Sequence, residues 1–261
     1  VTLAETFERA GAEGRAVLIG YLPAGYPSRE AAITAMCELV AAGVDVIEVG
    51  LPYSDPLMDG PVIQAAVEAA LAAGTRTADV LATVAAVAAT GTPTLVMTYW
   101  NPVERYGPAR FAAALADAGA AGAITPDLLP EEAGPWLAAL DDLALDPVFL
   151  VAPSSTDERI GVVGATNRGF VYAASTMGVT GARSRVSGRA AALVERVRRH
   201  TALPVAVGLG VSDAAQAAEV ASFADGVIVG SAFVRRLADG GDLSELARDL
   251  AAGVRGEPGG P

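Results

Sequence analysis

Among the ionisable residues of this chain, Glu48 and Asp59 have the setting that acid/base chemistry requires. Glu48 lies near the end of an apolar β-type run, residues 44–49, among Val46, Ile47 and Val49. Burial on such a strand disfavours the charged form of a carboxyl group and lifts its pKa toward neutrality, where it can both give and take a proton. The chain then passes through a loop dense in Pro, Gly and Asp to Asp59-Gly60-Pro61, and Pro at a first helical position suits a helix start. Two carboxylates therefore flank one mobile loop. A plainer assignment competes with this one: a strand-end acid that is solvated or paired with an Arg, and an acid that only helps to start a helix.

What the chain lacks narrows the chemistry further. All 18 basic residues are Arg, so Schiff-base catalysis on a lysine is excluded. The single His, His200, follows Arg198 and Arg199 at an expected helix end, where a surface role suits it better than a place in a Ser-His-Asp triad. The single Cys, Cys37, falls in a helical packing pattern, and neither a disulfide nor a Cys/His zinc site can be assembled. A net charge of −12 argues against nucleic acid or an anionic membrane as the main partner. With no stretch apolar and long enough to span a bilayer, and no basic-then-apolar start, the chain is expected in the cytoplasm. Asp and Glu are left as the main groups for acid/base work.

The elements that must position them can be read in order. With 261 residues and 52% apolar composition, the chain can bury a substantial core. Strands are predicted at residues 17–22, 44–49, 93–99, 121–125, 147–151, 169–173, 204–207 and 226–229. Between them, helices are predicted at 2–9, from Ser28 to 43, from 61, and over 77–89, 111–118 and 131–140. Further helices follow from Thr156, over 189–199 with Ser187 as cap, over 213–220 opened by Ser212, and over 243–252. The strands are near-continuous apolar runs of the kind buried on both faces. This alternation predicts an α/β protein, a single (β/α)8 TIM barrel over residues 1–261, with an extra N-terminal helix and a tail that frays from about residue 255. An open doubly wound sheet is the alternative, but the start carries no strand-linked Gly-x-Gly-x-x-Gly and the composition has no break.

Active groups of such a barrel belong at the C-terminal ends of its strands. Three Gly-rich segments fall there: Met177-Gly178-Val179-Thr180-Gly181 after the sixth strand, Gly208-Leu209-Gly210 after the seventh, and Gly230-Ser231 opening a short helix after the eighth. Glycine lets backbone N–H groups approach an anion, and a helix N-terminus adds its dipole. Singly each is more often a turn; converging at one end they form a phosphate cup that requires no Lys.

Glu48, Asp59 and these loops together resemble the tryptophan synthase α-subunit family. The resemblance is carried by GluValGlyLeuProTyrSerAspProLeuMetAspGlyProValIleGln at residues 48–64, then in family order by GlyValThrGly, GlyLeuGly and ValIleValGlySerAla, and it covers roughly residues 7–250. It implies a cofactor-free retro-aldol cleavage of indole-3-glycerol phosphate to indole and glyceraldehyde 3-phosphate. Glu48 would protonate indole C3 and then take the side-chain hydroxyl proton as the C–C bond breaks. Asp59 would face the indole N–H, where a carboxylate stabilises developing positive charge more in the transition state than in the ground state. By the same resemblance Tyr21, Met97, Tyr99, Ile124, Tyr172 and Leu209 line the substrate pocket, and Thr180 lies in a loop that closes over it. Gly181, Gly210, Gly230 and Ser231 would bind phosphate. Tyr21, Tyr53 and Leu209 stand where the family commonly has Phe, which alters indole packing rather than chemistry; Tyr21 is placed to make up part of the aromatic wall that Leu209 removes.

The resemblance further implies a partner, a pyridoxal-phosphate β subunit that consumes the indole in an α2β2 assembly, with Asp55 and Pro56 contacting it from the tip of the first loop. The cofactor belongs to that partner and none to this chain. A free-standing indole-3-glycerol-phosphate lyase would share the same residues and differ in having no partner, and a chain acting mainly as an allosteric activator of the β enzyme is a third reading. Other barrels acting on phosphorylated metabolites fit less well. Lysine-dependent aldolases and indole-glycerol-phosphate synthases have no Lys to use here, epimerases with a His-ligated metal have too few His, and two-Asp sugar isomerases leave residues 48–64 unexplained.

Overall fold

The computed structural model describes residues 1–174, 183–208 and 210–256. Its strands are β1 Val17–Pro23, β2 Val46–Gly50, β3 Thr94–Met97, β4 Gly122–Ile124, β5 Asp146–Val148, β6 Leu150–Val151, β7 Val171–Ala174, β8 Val205–Gly208 and β9 Gly226–Val229. The helices are α1 Leu3–Ala12, α2 Arg29–Ala41, α3 Pro61–Ala72, α4 Thr77–Ala88, α5 Trp100–Tyr106 and α6 Pro108–Asp117. They continue with α7 Gly134–Asp141, α8 Asp157–Thr166, α9 Arg183–Arg198, α10 Ala214–Ala221, α11 Ser231–Ala238 and α12 Leu243–Val254.

All ladders are parallel, and the strands follow the order β5-β4-β3-β2-β1-β9-β8-β7-β6. The two ends of that order are successive pieces of one chain segment, separated only by Phe149. The sheet therefore closes through the covalent chain, and nine segments make the eight staves of a barrel. The strand predicted over 147–151 is thus split: β5 pairs with β4 while β6 pairs with β7. At the break, Phe149 loses its ladder, and buried backbone groups must find partners elsewhere. Asn167, 5% exposed, supplies them. Phe149 N–H donates to Asn167 Oδ1 at 2.9 Å, while Asn167 Nδ2 donates to the carbonyls of Phe149 at 2.9 Å and Phe170 at 3.1 Å.

Alternate residues of each strand face the barrel interior. Val17, Ile19, Val46, Leu95, Ile124 and Val148 pack there, and Leu3 and Phe7 of α1 join Phe170 in the same cluster. The Phe7 and Phe170 ring centroids lie 5.5 Å apart, so α1 serves as a plug for the N-terminal end of the barrel. The alternate set, Leu18, Leu22, Ile47, Val49 and Val96, packs outward in the layer shared with the helices. Burial on both faces explains why these strands read as unbroken apolar runs.

Several predicted boundaries move. Residues 131–140 split into a 3-10 turn, Pro130–Glu132, and α7, because Pro135 lacks the N–H that a continuous helix needs. Helix α9 begins at Arg183, so Ser187 lies inside it; Gly188 has open space beside it, and an interior Gly weakens a helix by only about 1 kcal/mol. Asp213, not Ser212, caps α10, its side chain accepting from Gln216 N. Helix α5 was not predicted, being seven residues long and stopped at Gly107 with φ 95°. Among the described residues no single helix is long and apolar enough to cross a membrane.

Removing the Asn167 amide leaves Phe149 N–H and C=O buried and unpaired. Asn167→Ala is expected to lower stability by on the order of 3 kcal/mol. The check is the urea midpoint at unchanged slope; an unmoved midpoint would show that other groups close the seam.

Candidate active site

The inward row of β2 runs Val46, Glu48, Gly50, while Ile47 and Val49 face the helices. Glu48 is in register with Tyr21 on β1 and Leu95 on β3. Its exposure is 0%, and neither carboxyl oxygen has a hydrogen-bond partner among the described residues. Burial alone pushes its pKa up to about 8. An acid that is solvated or paired with an Arg at a strand end would have neither property. Burial instead favours the protonated form of Glu48 near neutral pH.

Asp59 is treated differently. It is partly buried at the end of the loop after β2, and the Tyr99 hydroxyl donates to its Oδ1 at 2.9 Å. The same hydroxyl accepts from Met58 N–H at 3.0 Å, and Gln64 Nε2 donates to the Asp59 carbonyl at 2.8 Å. The N-cap of α3 is Gly60, which makes no side-chain cap bond, so the Asp59 carboxylate is not spent on starting that helix. Burial raises the pKa of Asp59 and the Tyr99 hydrogen bond pulls it back. Tyr99 is itself anchored. It precedes α5, whose first N–H, from Trp100, donates to Asp127 Oδ1 at 2.8 Å, and the Tyr53 ring lies 5.4 Å from the Tyr99 ring.

Two more phenols face this region. Burial, with the charges of Glu48 and Asp59 behind it, pushes both Tyr21 and Tyr172 well above the ordinary tyrosine range, which puts the four groups in one neighbourhood. Each ring lies on glycine. A Cβ on Gly208 would stand 2.9 Å from the Tyr172 hydroxyl, and one on Gly50 2.7 Å from Cε2 and Cζ of Tyr21. Inward glycines at strand ends thus make room for aromatic walls at the barrel mouth.

The remaining candidates divide. Met97 is partly buried at the end of β3, in register with Gly50, whereas Ile124 is fully buried among the side chains that fill the barrel. Gly230 is the N-cap of α11 and Ser231 its first residue, and both are partly exposed. The first N–H groups of a helix have no partner within it, so they present donors and the positive dipole end to an anion. Gly210 is exposed with φ 72°, in the loop after β8. Thr180, Gly181 and Leu209 lie outside the described residues. On the first loop Asp55 is exposed, Pro56 partly so, and Leu57 and Met58 follow at 77% and 46% exposure.

Sequence reading named Tyr99 as a pocket residue but missed its hold on Asp59 and the anchoring Asp127, because no local pattern links positions 59, 99 and 127. It also passed over Gly50 and Gly208, although a glycine at an inward strand position beside Glu48 was a usable sign of close approach.

The model of the family described as tryptophan synthase alpha chain matches residues 7–254. The tryptophan synthase alpha chain of Acidothermus cellulolyticus is 61% identical over 259 residues, covering 97% of each chain. That of Thermobifida fusca is 59% identical, covering 94% of this chain and 95% of its own. Among solved structures, Mycobacterium tuberculosis tryptophan synthase superposes with a TM-score of 0.92 at 56% identity, covering 97% of this chain and 98% of that one.

The raised pKa of Glu48 is also a statement about stability. Between an unfolded value near 4.5 and a folded value of about 8 the folded chain keeps a proton that the unfolded chain has lost, so stability falls as pH rises through this window. Glu48→Gln is therefore expected to match the parent below about pH 4.5 and to exceed it increasingly toward pH 8, by on the order of 4 kcal/mol. Denaturation curves at stepped pH test this; a constant difference would mean that Glu48 ionises normally.

Proposed function

The chain belongs to the tryptophan synthase alpha chain family and cleaves indole-3-glycerol phosphate, a carbon–carbon lyase reaction, and we propose that Glu48 and Asp59 are the residues that carry it out. The observation that supports this most is Glu48 itself, buried at the barrel mouth with both oxygens unpaired and its pKa lifted to about 8.

Neutral Glu48 gives its proton to indole C3, and positive charge develops on the ring. Asp59, ionised, accepts from the indole N–H and offsets that charge as it forms. The Glu48 carboxylate then takes the proton from the hydroxyl on the carbon attached to C3. The C–C bond breaks, its electron pair restores the indole, and the hydroxyl carbon becomes the aldehyde of glyceraldehyde 3-phosphate. The proton donated at C3 is replaced by the hydroxyl proton, so the acid is regenerated and the proposal calls on no cofactor. Tyr99 keeps one Asp59 oxygen occupied and leaves the other for the indole N–H. Phosphate is assigned to the N–H groups at the start of α11, with Gly230 and Ser231, and to Gly210 and Gly181. Tyr21, Met97, Tyr172 and Leu209 are the proposed walls of the indole pocket, with Ile124 beneath them and Thr180 over the substrate.

The proposed partner is a pyridoxal-phosphate β subunit in an α2β2 assembly, working in the cytoplasm. Asp55 and Pro56 are its contacts in this reading, supported by the exposed apolar side chains of Leu57 and Met58 that follow them. A partner that binds the loop with Asp59 turned inward raises activity by population shift, with about 1.4 kcal/mol of differential binding for each tenfold.

Glu48→Gln should abolish indole release with the fold intact, and Asp59→Asn should lose roughly a hundredfold or more, since each removes a charge or proton but keeps shape. For the parent, kcat/KM should fall as pH rises through about 8, where free Glu48 loses the proton it must donate. Near-normal turnover by Glu48→Gln would end this mechanism. Addition of a cognate β subunit should raise the rate about tenfold or more, and less for Pro56→Gly. Full activity without β would instead indicate a free-standing lyase.

A further inference from the structure

We infer that Tyr21 is a positioning residue that couples the phosphate end of the site to the loop bearing Asp59, an inference that rests on phosphate binding at the start of α11. Tyr21 stands on β1, the middle stave of the trio β2-β1-β9, and is 7% exposed. Its ring bridges the two outer staves. On one side a Cβ added to Gly230, the N-cap of α11, would lie 3.2 Å from Cδ1 and 3.4 Å from Cβ of Tyr21. On the other, a Cβ added to Gly50 would lie 2.7 Å from Cε2 and Cζ.

Because both neighbours are glycines, the ring bears on backbone at each end, with no flexible side chain between to absorb a displacement. Close-packed interiors transmit small shifts rather than dissipating them. Gly50 is the root of the loop: its carbonyl accepts from Ala24 N–H at 2.9 Å, and the next residue, Leu51, donates its N–H to the Met97 carbonyl at 2.9 Å. Movement of Gly230 as an anion settles on the α11 N–H groups therefore reaches the loop base through one rigid ring. A rival route runs outside the barrel, where α11 packs on α3. The two routes differ in whether they need Tyr21.

The shape of the contact also decides which substitutions matter. Phenylalanine loses the hydroxyl, the Tyr21 atom nearest Gly50, but keeps the Cε2–Cζ edge behind it and the Cδ1 that faces Gly230, so the rigid ring still spans the two glycines. Leucine keeps an apolar, buried side chain but does not reach Gly50.

The test is amide hydrogen exchange on the full chain, with inorganic phosphate as the probe. In the parent, phosphate should slow exchange at residues 231–233 and, threefold or more, at residues 54–59. Tyr21→Phe should keep both effects. Tyr21→Leu should keep protection at 231–233 and lose it at 54–59. Loop protection that survives in Tyr21→Leu, or that is missing from the parent although 231–233 are protected, would overturn the coupling alone. No protection at 231–233 in the parent would overturn the phosphate assignment and the coupling with it. Should Tyr21→Leu fail to fold, Gly230→Ala decides: its methyl, 3.2 Å from the ring, should alter exchange at 54–59 without any phosphate, and unchanged exchange there would overturn the proposal.

Discussion

An ionised carboxylate with no partner in a protein interior is opposed by several kcal/mol of lost hydration, and the group escapes by keeping its proton. Glu48 is held under that constraint by a barrel whose walls are apolar on both faces and whose lower end is stoppered by Leu3 and Phe7 of α1. Water reaches neither oxygen from below, and the strands on either side present Tyr21 and Leu95 rather than a cation. A stabilising Arg would return the group to an ordinary carboxylate, without the proton that the proposed mechanism needs. Keeping this carboxyl buried therefore costs the fold stability as pH rises toward 8.

The second carboxylate sits in a different environment. Asp59 is less deeply placed, and the Tyr99 hydroxyl offsets part of what burial does to it. In the mechanism we propose, two acids in different environments divide the labour: one donates and recovers a proton, the other faces the developing cation. The division depends on geometry far from either group. Asp127 fixes the first turn of α5, α5 fixes Tyr99, and Tyr99 fixes the end of the loop through Met58 N–H and Asp59 Oδ1.

Much of this was legible in the sequence wherever a local pattern carried it. The apolar strand runs, the Thr2, Ser28 and Thr156 starts, and a lone charge between Val46 and Val49 are all visible within a few residues, and the structure bears them out. What escaped were relations between distant positions. Nothing near Phe149 announces that its strand breaks, because the repair comes from Asn167, eighteen residues later. Helix α5 is too short to show a period, and Ser187 and Gly188 look like a helix start although the helix has already begun. The pocket role of Tyr99 came from family resemblance alone. Its hydrogen bond to Asp59, forty positions away, is a product of the barrel's closure.

The proposed mechanism requires Glu48 to be a neutral acid in the folded chain. Carbon-13 spectra of carboxyl-labelled glutamate, taken as a difference between the parent and Glu48→Gln, measure that proton directly. One carboxyl resonance, absent from the variant, should titrate with its midpoint at about pH 8. A Glu48 resonance that titrates in the ordinary glutamate range, near pH 4.3 or so, would contradict the account.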